Sequence, residues 1–529
     1  MCGIALLVGP DGNDARFRRM LDAIRPRGES EEVLVEPDLR LGTQRLKIVD
    51  RQRATQPWVS ADGAWALCYN GEVFNFRALR DELAREGVRL RSESDTEVVL
   101  EAFLHWGEQG VTRLRGEFAF AVVERATGRV YLGRDPVGVK PLYWTRHGRT
   151  VSIASEVKAL VPLGLPVHEV PPGHHGWADP GSDPALSAYV DLLHVGDGLP
   201  PLDDPDAAVA ALGAAFDASV AARVDTDLTV GVVLSGGLDS SYVLATALQH
   251  HSDCVAFTIG TPDSEDVTTA RRLAAHFGVP HEVLTVEPHE LRWRDVREAI
   301  ASSELTEFGD VINATISNRL YDAVHRAGIK VVLCGDGADE LFGGYAMYRD
   351  TDEAARQRLF AHKLANLGRT ELQRVDRASM GHGVEARVPF LDIDLVELAM
   401  RVPPELKVRD GVEKWVLRRA ATGLLPDYVL HRRKLPLSHA SGLHERVRLF
   451  RPLFLRTYRS LGYELLGPAR RDFSNVLESH GYDLDAAVRS TADTPHYSAA
   501  EQARDFAGAL RWNLRRALRR STPGSSPTA

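Results

Sequence analysis

Two short stretches carry residues whose types and order could do chemistry. In Met1-Cys2-Gly3-Ile4 a thiol stands directly behind a methionine. Once Met1 is cleaved, Cys2 carries both a nucleophilic sulfur and a free α-amine able to act as its base. The second stretch, Ser235-Gly236-Gly237-Leu238-Asp239-Ser240-Ser241, follows the apolar run Leu228–Leu234. Its glycines permit close backbone approach, its hydroxyls can donate, and the N-terminus of the helix expected next favours an anion. The turn lacks the lysine of a P-loop, which argues against a P-loop kinase or ATPase. Asp239 would repel a bare polyphosphate, but its carboxylate suits Mg²⁺, which takes a few carboxylates together with phosphate oxygens. A second loop, Cys334-Gly335-Asp336-Gly337-Ala338-Asp339-Glu340, follows another apolar stretch, Lys330–Leu333. At the carboxyl ends of parallel strands, two such loops converge on one ligand.

Positioning these residues takes two frames. From Cys2 to about Tyr143 the pattern is of short strands between turns, such as Ala64–Tyr69 and Arg129–Gly133, with helices over Phe74–Glu86 and Thr96–Trp106. This predicts an α+β layered domain. Pro171–Asp206 has the Pro, Gly, His and Asp content of a linker, which places a domain boundary there: 1–205, then 206–520, then a tail at 521–529 too poor in apolar residues to fold. Beyond a helix at Ala207–Arg223, the strand Leu228–Leu234, the glycine turn and a helix through Tyr242–His250 follow one another. Strands at Cys254–Ile259 and Lys330–Leu333, with a helix at Val267–Phe277 after the first, continue the alternation expected of a parallel sheet, and the remainder reads as mainly helical.

Bulk properties are those of a large soluble globular protein. At 529 residues the chain is too long for a single core. A net charge of −9 gives no electrostatic reason to expect nucleic acid. Four cysteines (Cys2, Cys68, Cys254, Cys334) show no disulfide or zinc spacing. The absence of a signal-peptide pattern, and of any apolar run near ~18 residues, predicts a cytoplasmic location without membrane contact.

Five further blocks follow Cys2 in order: Gln44-Arg-Leu-Lys-Ile-Val-Asp50, Tyr69-Asn-Gly-Glu72, Glu93-Ser-Asp-Thr-Glu97, Gly116-Glu-Phe-Ala-Phe120 and Arg134-Asp-Pro-Val-Gly-Val-Lys-Pro-Leu-Tyr143. With them the N-terminal half resembles the class II glutaminase domain of glutamine-hydrolysing asparagine synthetases, an Ntn-hydrolase αββα fold. The resemblance implies that Cys2 attacks the side-chain amide of glutamine and that Asn70 and Gly71 form the oxyanion hole. It assigns Arg45 to the substrate α-carboxylate and Asp95 to the α-ammonium, with Leu46, Lys47, Ile48, Val49 and Glu72 lining the pocket. The Ser235–Ser241 turn is similar to the pyrophosphate loop of N-type ATP pyrophosphatases, in an α/β domain of the adenine nucleotide α-hydrolase type with a helical C-terminal part. The same likeness extends to Ser379-Met-Gly-His-Gly-Val-Glu-Ala-Arg-Val-Pro-Phe-Leu-Asp392, read as a helical block, and to Glu413-Lys-Trp-Val-Leu-Arg418. It implies that Ser235, Gly236, Gly237, Asp239, Ser240 and Ser241 hold the pyrophosphate of ATP, that Val233, Ile259, Cys334 and Gly335 hold the adenosine, and that Asp239 and Asp339 bind Mg²⁺. Lys434, in His431-Arg-Arg-Lys434, aligns with the family's catalytic lysine, and Asp336 takes the place of a glutamate that assists nitrogen attack. Relatives commonly form homodimers.

Some stretches depart from the family's pattern. Arg25-Pro-Arg-Gly-Glu-Ser30 stands where the family has His-Arg-Gly-Pro-Asp, and Gln44 where it has His. Asp336 is one methylene shorter than the family's glutamate. Leu435-Pro-Leu-Ser-His-Ala-Ser-Gly442 replaces Glu-Gln-Phe-Ser-Asp-Gly-Val-Gly, and Glu307–Asn313 lacks an arginine expected to hold the α-carboxylate of aspartate. These changes gather where an acceptor should bind. The expectation is therefore a glutamine-dependent, AMP-forming amidotransferase acting on aspartate or on another carboxylate, with ammonia or a substituted amine transferred through an internal channel. Relatives that cyclise their own substrate, such as β-lactam synthetases and lasso-peptide cyclases, often lose the N-terminal cysteine, so Cys2 argues against that reading. Loss of Cys2, Asp239 or Lys434 would favour a non-catalytic scaffold that kept the fold, and none of the three is lost.

Overall fold

The computed structural model describes residues 1–433, 443–466, 476–478, 480–490, 503, 506–511 and 513–514. The expectation of a disordered tail at 521–529 falls outside the described residues.

In chain order the N-terminal strands are β1 (Cys2–Val8), β2 (Ser30–Glu36), β3 (Leu39–Arg45), β4 (Trp58–Val59), β5 (Trp65–Val73), β6 (Gly116–Glu124), β7 (Arg129–Arg134), β8 (Tyr143–His147), β9 (Thr150–Ala154), β10 (His168–Glu169), β11 (His174–Ala178) and β12 (Ala185–Ala188). They make two six-stranded sheets, β10-β8-β9-β1-β3-β2 and β12-β11-β7-β6-β5-β4. β1 is apolar or small at every position because both of its faces are covered. Ile4, Leu6 and Val8 pack between the sheets against Ala66, Cys68, Ala119 and Ala121. The alternate residues Ala5 and Leu7 meet Phe17, Met20 and Leu21 of the helix Asp14–Ala23. On the outer face of the second sheet, Leu67, Phe118 and Phe120 are covered by Leu79 and Leu83 of the helix Phe76–Arg85 and by Val99 and Phe103 of the helix Asp95–Trp106. Two sheets between helices give the expected αββα layering.

Two sequence readings are corrected. Part of the stretch read as a linker is folded: β11 pairs with β7 on one side and with β12 on the other. Its glycines and histidines concealed a strand because Gly176, at φ +157°, has a neighbouring backbone so close that a Cβ would lie 1.9 Å from the Ala185 carbonyl oxygen. The block Ser379–Asp392 is not one helix either. The helix Glu371–Met380 stops, and Glu385–Arg387 forms a strand. The helix ends at the Gly381-His382-Gly383 turn, where Gly383 has φ +65°, and the short segment after it finds hydrogen-bond partners on a sheet edge.

The second half is organised by β13 (Val230–Val233), β14 (Cys254–Gly260), β15 (His281–Thr285), β16 (Val331–Leu333) and β17 (Glu385–Arg387). They form one parallel sheet in the order β15-β14-β13-β16-β17. β13 and β16 are central neighbours, so the loops that follow them, Ser235–Gly237 and Cys334–Gly337, emerge side by side. Among the described residues no helix is long and apolar enough to cross a membrane.

Candidate active site

The first centre forms at the head of β1. Antiparallel register with β3 sets Cys2 opposite Arg45. The Cys2 N–H donates to Asn70 Oδ1 at 3.0 Å, while Asn70 Nδ2 is buried without a hydrogen-bond partner. A buried donor left unpaired costs about 1–3 kcal/mol, a cost that a developing oxyanion would relieve. Gly71 is required by close approach: a Cβ there would lie 2.3 Å from the Glu117 carbonyl oxygen.

Cys2, Arg45, Leu46, Ile48, Val49, Gly71, Glu72 and Asp95 line one cavity of about 20 Å³, together with Met1 and Gln56. That is space for about one water with Met1 in place. Lys47 stands apart from the cavity, its N–H donating to Glu29 at 3.0 Å. Asp95 opens the helix Asp95–Trp106 behind the cap Ser94, and its Oδ2 accepts from the Tyr69 hydroxyl at 2.7 Å. Burial nevertheless raises the Asp95 carboxyl, and burial together with Asp95 lifts Glu72 well above the usual carboxylate range. An ammonium placed beside these acids would favour their charged form, and Arg45 in the same wall leaves a place for a carboxylate. Burial likewise raises the Cys2 thiol, against the pull of the chain amine and Arg45.

Sequence reasoning missed Gln56. Its Nε2 lies 3.7 Å from Cys2 Sγ, and its Oε1 accepts from the Tyr69 N–H at 2.8 Å. No motif surrounds it, so only the fold could reveal it. The two departures near Cys2 have structural uses. Gln44 turns away from the cavity to the Leu21 carbonyl and Glu31. Arg27 donates from Nε to the Cys2 carbonyl at 3.1 Å and grips Asp376 in the other half with two bonds of 2.8 and 3.0 Å.

Arg27 is one member of a buried polar seam between the halves. The Met1 amine meets Glu385 at 2.6 Å. Arg387 pairs with Glu385 at 2.6 Å and reaches Glu72 at 3.6 Å, while its own carbonyl accepts from the Cys334 N–H at 3.0 Å. A single residue of β17 thus touches the wall of the first cavity and the loop of the second centre.

The second centre gathers at the ends of β13 and β16. Gly236 has φ +68°, and a Cβ there would meet the Ala270 backbone nitrogen at 2.8 Å, so the turn tolerates no side chain. Ser235 and Ser240 brace the turn, with Ser235 N–H and Oγ each 3.1 Å from Ser240 Oγ. Ser235, Gly237 and Asp239 line a cavity of about 40 Å³ with Asp266, Lys414, Arg418, Arg432 and Arg433. Ser241 lies fully buried behind the turn, its hydroxyl without a hydrogen-bond partner. Val233 and Ile259 stand at or near the ends of β13 and β14, and Cys334 and Gly335 at the end of β16. Gly335 packs so closely on the turn that a Cβ would come within 3.0 Å of the Asp239 Cβ.

Asp239 and Asp339, each on the first turn of a helix, converge on the Lys414 ammonium at 2.6 Å each. Two carboxylates within reach of one small cation are a donor set that fits Mg²⁺. Lys414, Arg418 and Arg432 carried no assigned role in the sequence, although the block Glu413–Arg418 and the basic run after His431 were visible. Arg432 donates to the Ser235 carbonyl at 3.0 Å and to Asp266 at 2.7 Å. Arg418 donates to the carbonyls of Glu413, Leu430 and Arg432, tying the Lys414 turn to the segment that leads to Lys434. Lys434 itself, with 435–442, lies outside the described residues. Asp336 is paired with Arg374, which also donates to Ser317 at 3.3 Å.

A glutamine amidotransferase domain family matches residues 1–171, and the asparagine synthase family matches residues 211–360 and 350–514. The chain is 32% identical to glutamine-hydrolysing asparagine synthetase B of Escherichia coli, over 76% of this chain and 74% of that protein. It is 31% identical to glutamine-hydrolysing asparagine synthetase 3 of Arabidopsis thaliana, over 84% and 79% of the two chains, and 26% identical to glutamine-hydrolysing asparagine synthetase 1 of Bacillus subtilis, over 80% and 84%. The two centres and these matches agree, and the chain belongs to the asparagine synthase family, with a glutamine amidotransferase domain ahead of its synthase domain.

Proposed function

We propose that the chain is a glutamine-dependent carbon–nitrogen ligase that adenylates a carboxylate with ATP and amidates it. The observation that carries this reading is Arg387, which joins an intact thiol centre to an intact nucleotide-type loop within one buried seam. Cys2 Sγ, in a chain freed of Met1, attacks the glutamine side-chain carbonyl, and the Cys2 amine takes the thiol proton and passes it to the departing nitrogen. Asn70 Nδ2 and the Gly71 N–H receive the oxyanion, Arg45 the α-carboxylate and Asp95 the α-ammonium. Water then releases glutamate from the thioester. At the second centre an acceptor carboxylate oxygen attacks the α-phosphorus of ATP, pyrophosphate leaves, ammonia attacks the acyl carbon, and AMP departs. Mg²⁺ held by Asp239 and Asp339 would neutralise the leaving pyrophosphate. The Ser235 and Ser240 hydroxyls and the cations Arg418 and Arg432 hold the phosphates, and Lys434 steadies charge at the α-phosphorus.

Aspartate is the first acceptor to test. A different carboxylate is the second reading, favoured by Asp336, whose pairing with Arg374 engages the group that would meet the incoming nitrogen. The deciding experiment measures pyrophosphate release with ATP, Mg²⁺ and glutamine across an acceptor panel, with products identified by mass. Asparagine formed from aspartate establishes the first reading. Silence with aspartate beside intact glutaminase activity establishes the second. Absence of both activities overturns the assignment.

A further inference from the structure

From the geometry around Lys414 we infer that this lysine is a resident counter-cation of the metal site: it holds Asp239 and Asp339 together before nucleotide binds, and it yields that position when a divalent ion arrives with phosphates. The inference rests on the metal-site reading above and goes beyond it. The Lys414 side chain is 2% exposed, and its ammonium lies 2.6 Å from an oxygen of each carboxylate, in the space where a cation bridging the two would sit. Lys414 reaches this place from a strained turn. It follows the hairpin Val408–Arg409/Val412–Glu413 and has a left-handed backbone, φ +55°, which is rare for a residue with a side chain. The packing leaves no slack on one side: a Cβ on Gly344 would fall 1.7 Å from Asp339 Oδ1 and 2.5 Å from Lys414 Cε. The other side opens on the cavity shared with Ser235, Gly237, Asp266, Arg418, Arg432 and Arg433, where Asp266 is already held by Arg432 at 2.7 Å, so a displaced ammonium turns toward that cavity.

This arrangement couples metal to phosphate. A divalent ion arriving alone must push a buried ammonium toward three arginines and one carboxylate, Asp266, that is already paired with Arg432, a move opposed by net like charge. Phosphates in the cavity give the same ammonium an anionic partner, so metal and phosphate each favour the other's binding. Lys414 therefore acts as a positioning residue that makes the site accept the metal together with nucleotide rather than by itself.

The test is Mn²⁺ binding followed by electron paramagnetic resonance, without turnover. Wild-type protein is expected to bind Mn²⁺ at least about a hundredfold more weakly alone than with a non-hydrolysable ATP analogue, and equal binding would overturn the inference. Lys414→Met is expected to tighten binding of Mn²⁺ alone about tenfold or more, and Arg433→Met, which removes a like charge from the same cavity, much less. Unchanged or weaker Mn²⁺ binding in Lys414→Met, or an equal gain in Arg433→Met, overturns it. Glutaminase activity reports whether each variant is folded, and the wild-type comparison decides if Lys414→Met is not. Asp239→Asn separates the two levels of the argument: if it leaves Mn²⁺ binding with the analogue intact, the metal-site reading itself fails.

Discussion

The cavity at Cys2 takes its nucleophile and its oxyanion-hole residues from strands and carries one base, Arg45, beside two acids, whereas the cavity at Ser235 is lined from loops and helix ends and carries four bases beside two aspartates. At the first, register does the positioning: Cys2 faces Arg45 across a β-ladder, and Asn70 sits within an antiparallel strand. At the second, position depends on pairs of opposite charge, with Lys414 between two aspartates and Arg432 on Asp266. A neutral, zwitterionic guest such as glutamine can be met by a fixed wall with one charge of each sign. A polyanionic guest cannot, because the cations that will meet it repel one another until it comes, and they need carboxylate partners in the meantime.

Substitutions can break this contrast. Asp239→Asn should reduce pyrophosphate release by about 10³-fold or more with either glutamine or ammonia as nitrogen source, while glutamate release from glutamine persists. Cys2→Ala should be its mirror image, with glutamine-dependent product falling by about 10³-fold or more and ammonia-dependent product kept. Turnover assays with both nitrogen sources check each, and loss of both activities in either variant would mean that the centres are not separable. Asn70→Ala should lower glutaminase kcat by about 10²–10³ with little change in KM, because an oxyanion donor acts on the transition state. Asp95→Asn should instead raise the glutamine KM, by about tenfold or more, since it removes a charge that meets the ground state as well.

The smallest expected effect concerns the seam. Burial would raise the Asp376 carboxyl, but Arg27 and Arg377 outweigh it and hold the group well below the usual range. A depressed folded value means that its stabilisation is full above the unfolded value near about 4 and is lost as pH falls below it. Thermal melts from pH 6 down to pH 3 should show a steeper acid limb in wild type than in Asp376→Asn. Equal limbs would show that the pair does not bind the halves together.

More of the Cys2 centre than of the Ser235 centre is legible in the sequence. Cys2, Arg45, Asn70 and Asp95 sit in contiguous blocks that the family resemblance singles out, and three strands and the helix Asp95–Trp106 bring them to one place. Lys414 and Arg432 come from residues far along the chain from Asp239, and their use depends on how a hairpin and a basic segment fold back over the turn, which no local pattern records. Gln56 lies in a segment without periodicity. β17 is not legible in the sequence because three residues are too few to show alternation, and because a strand's pairing on a sheet edge is decided by what lies beside it.

Arg387 has a further consequence in the order of synthesis. Cys2 and the Ser235 turn leave the ribosome more than a hundred residues before β17 does. Until that strand docks against β16, the Cys334 N–H lacks its carbonyl partner and Glu72 lacks its guanidinium, so a nascent chain that has already made Cys2 and the Ser235 turn lacks the wall they share, and Lys414, Arg418 and Arg432 follow later still. Neither centre is therefore complete until the chain has passed this three-residue strand.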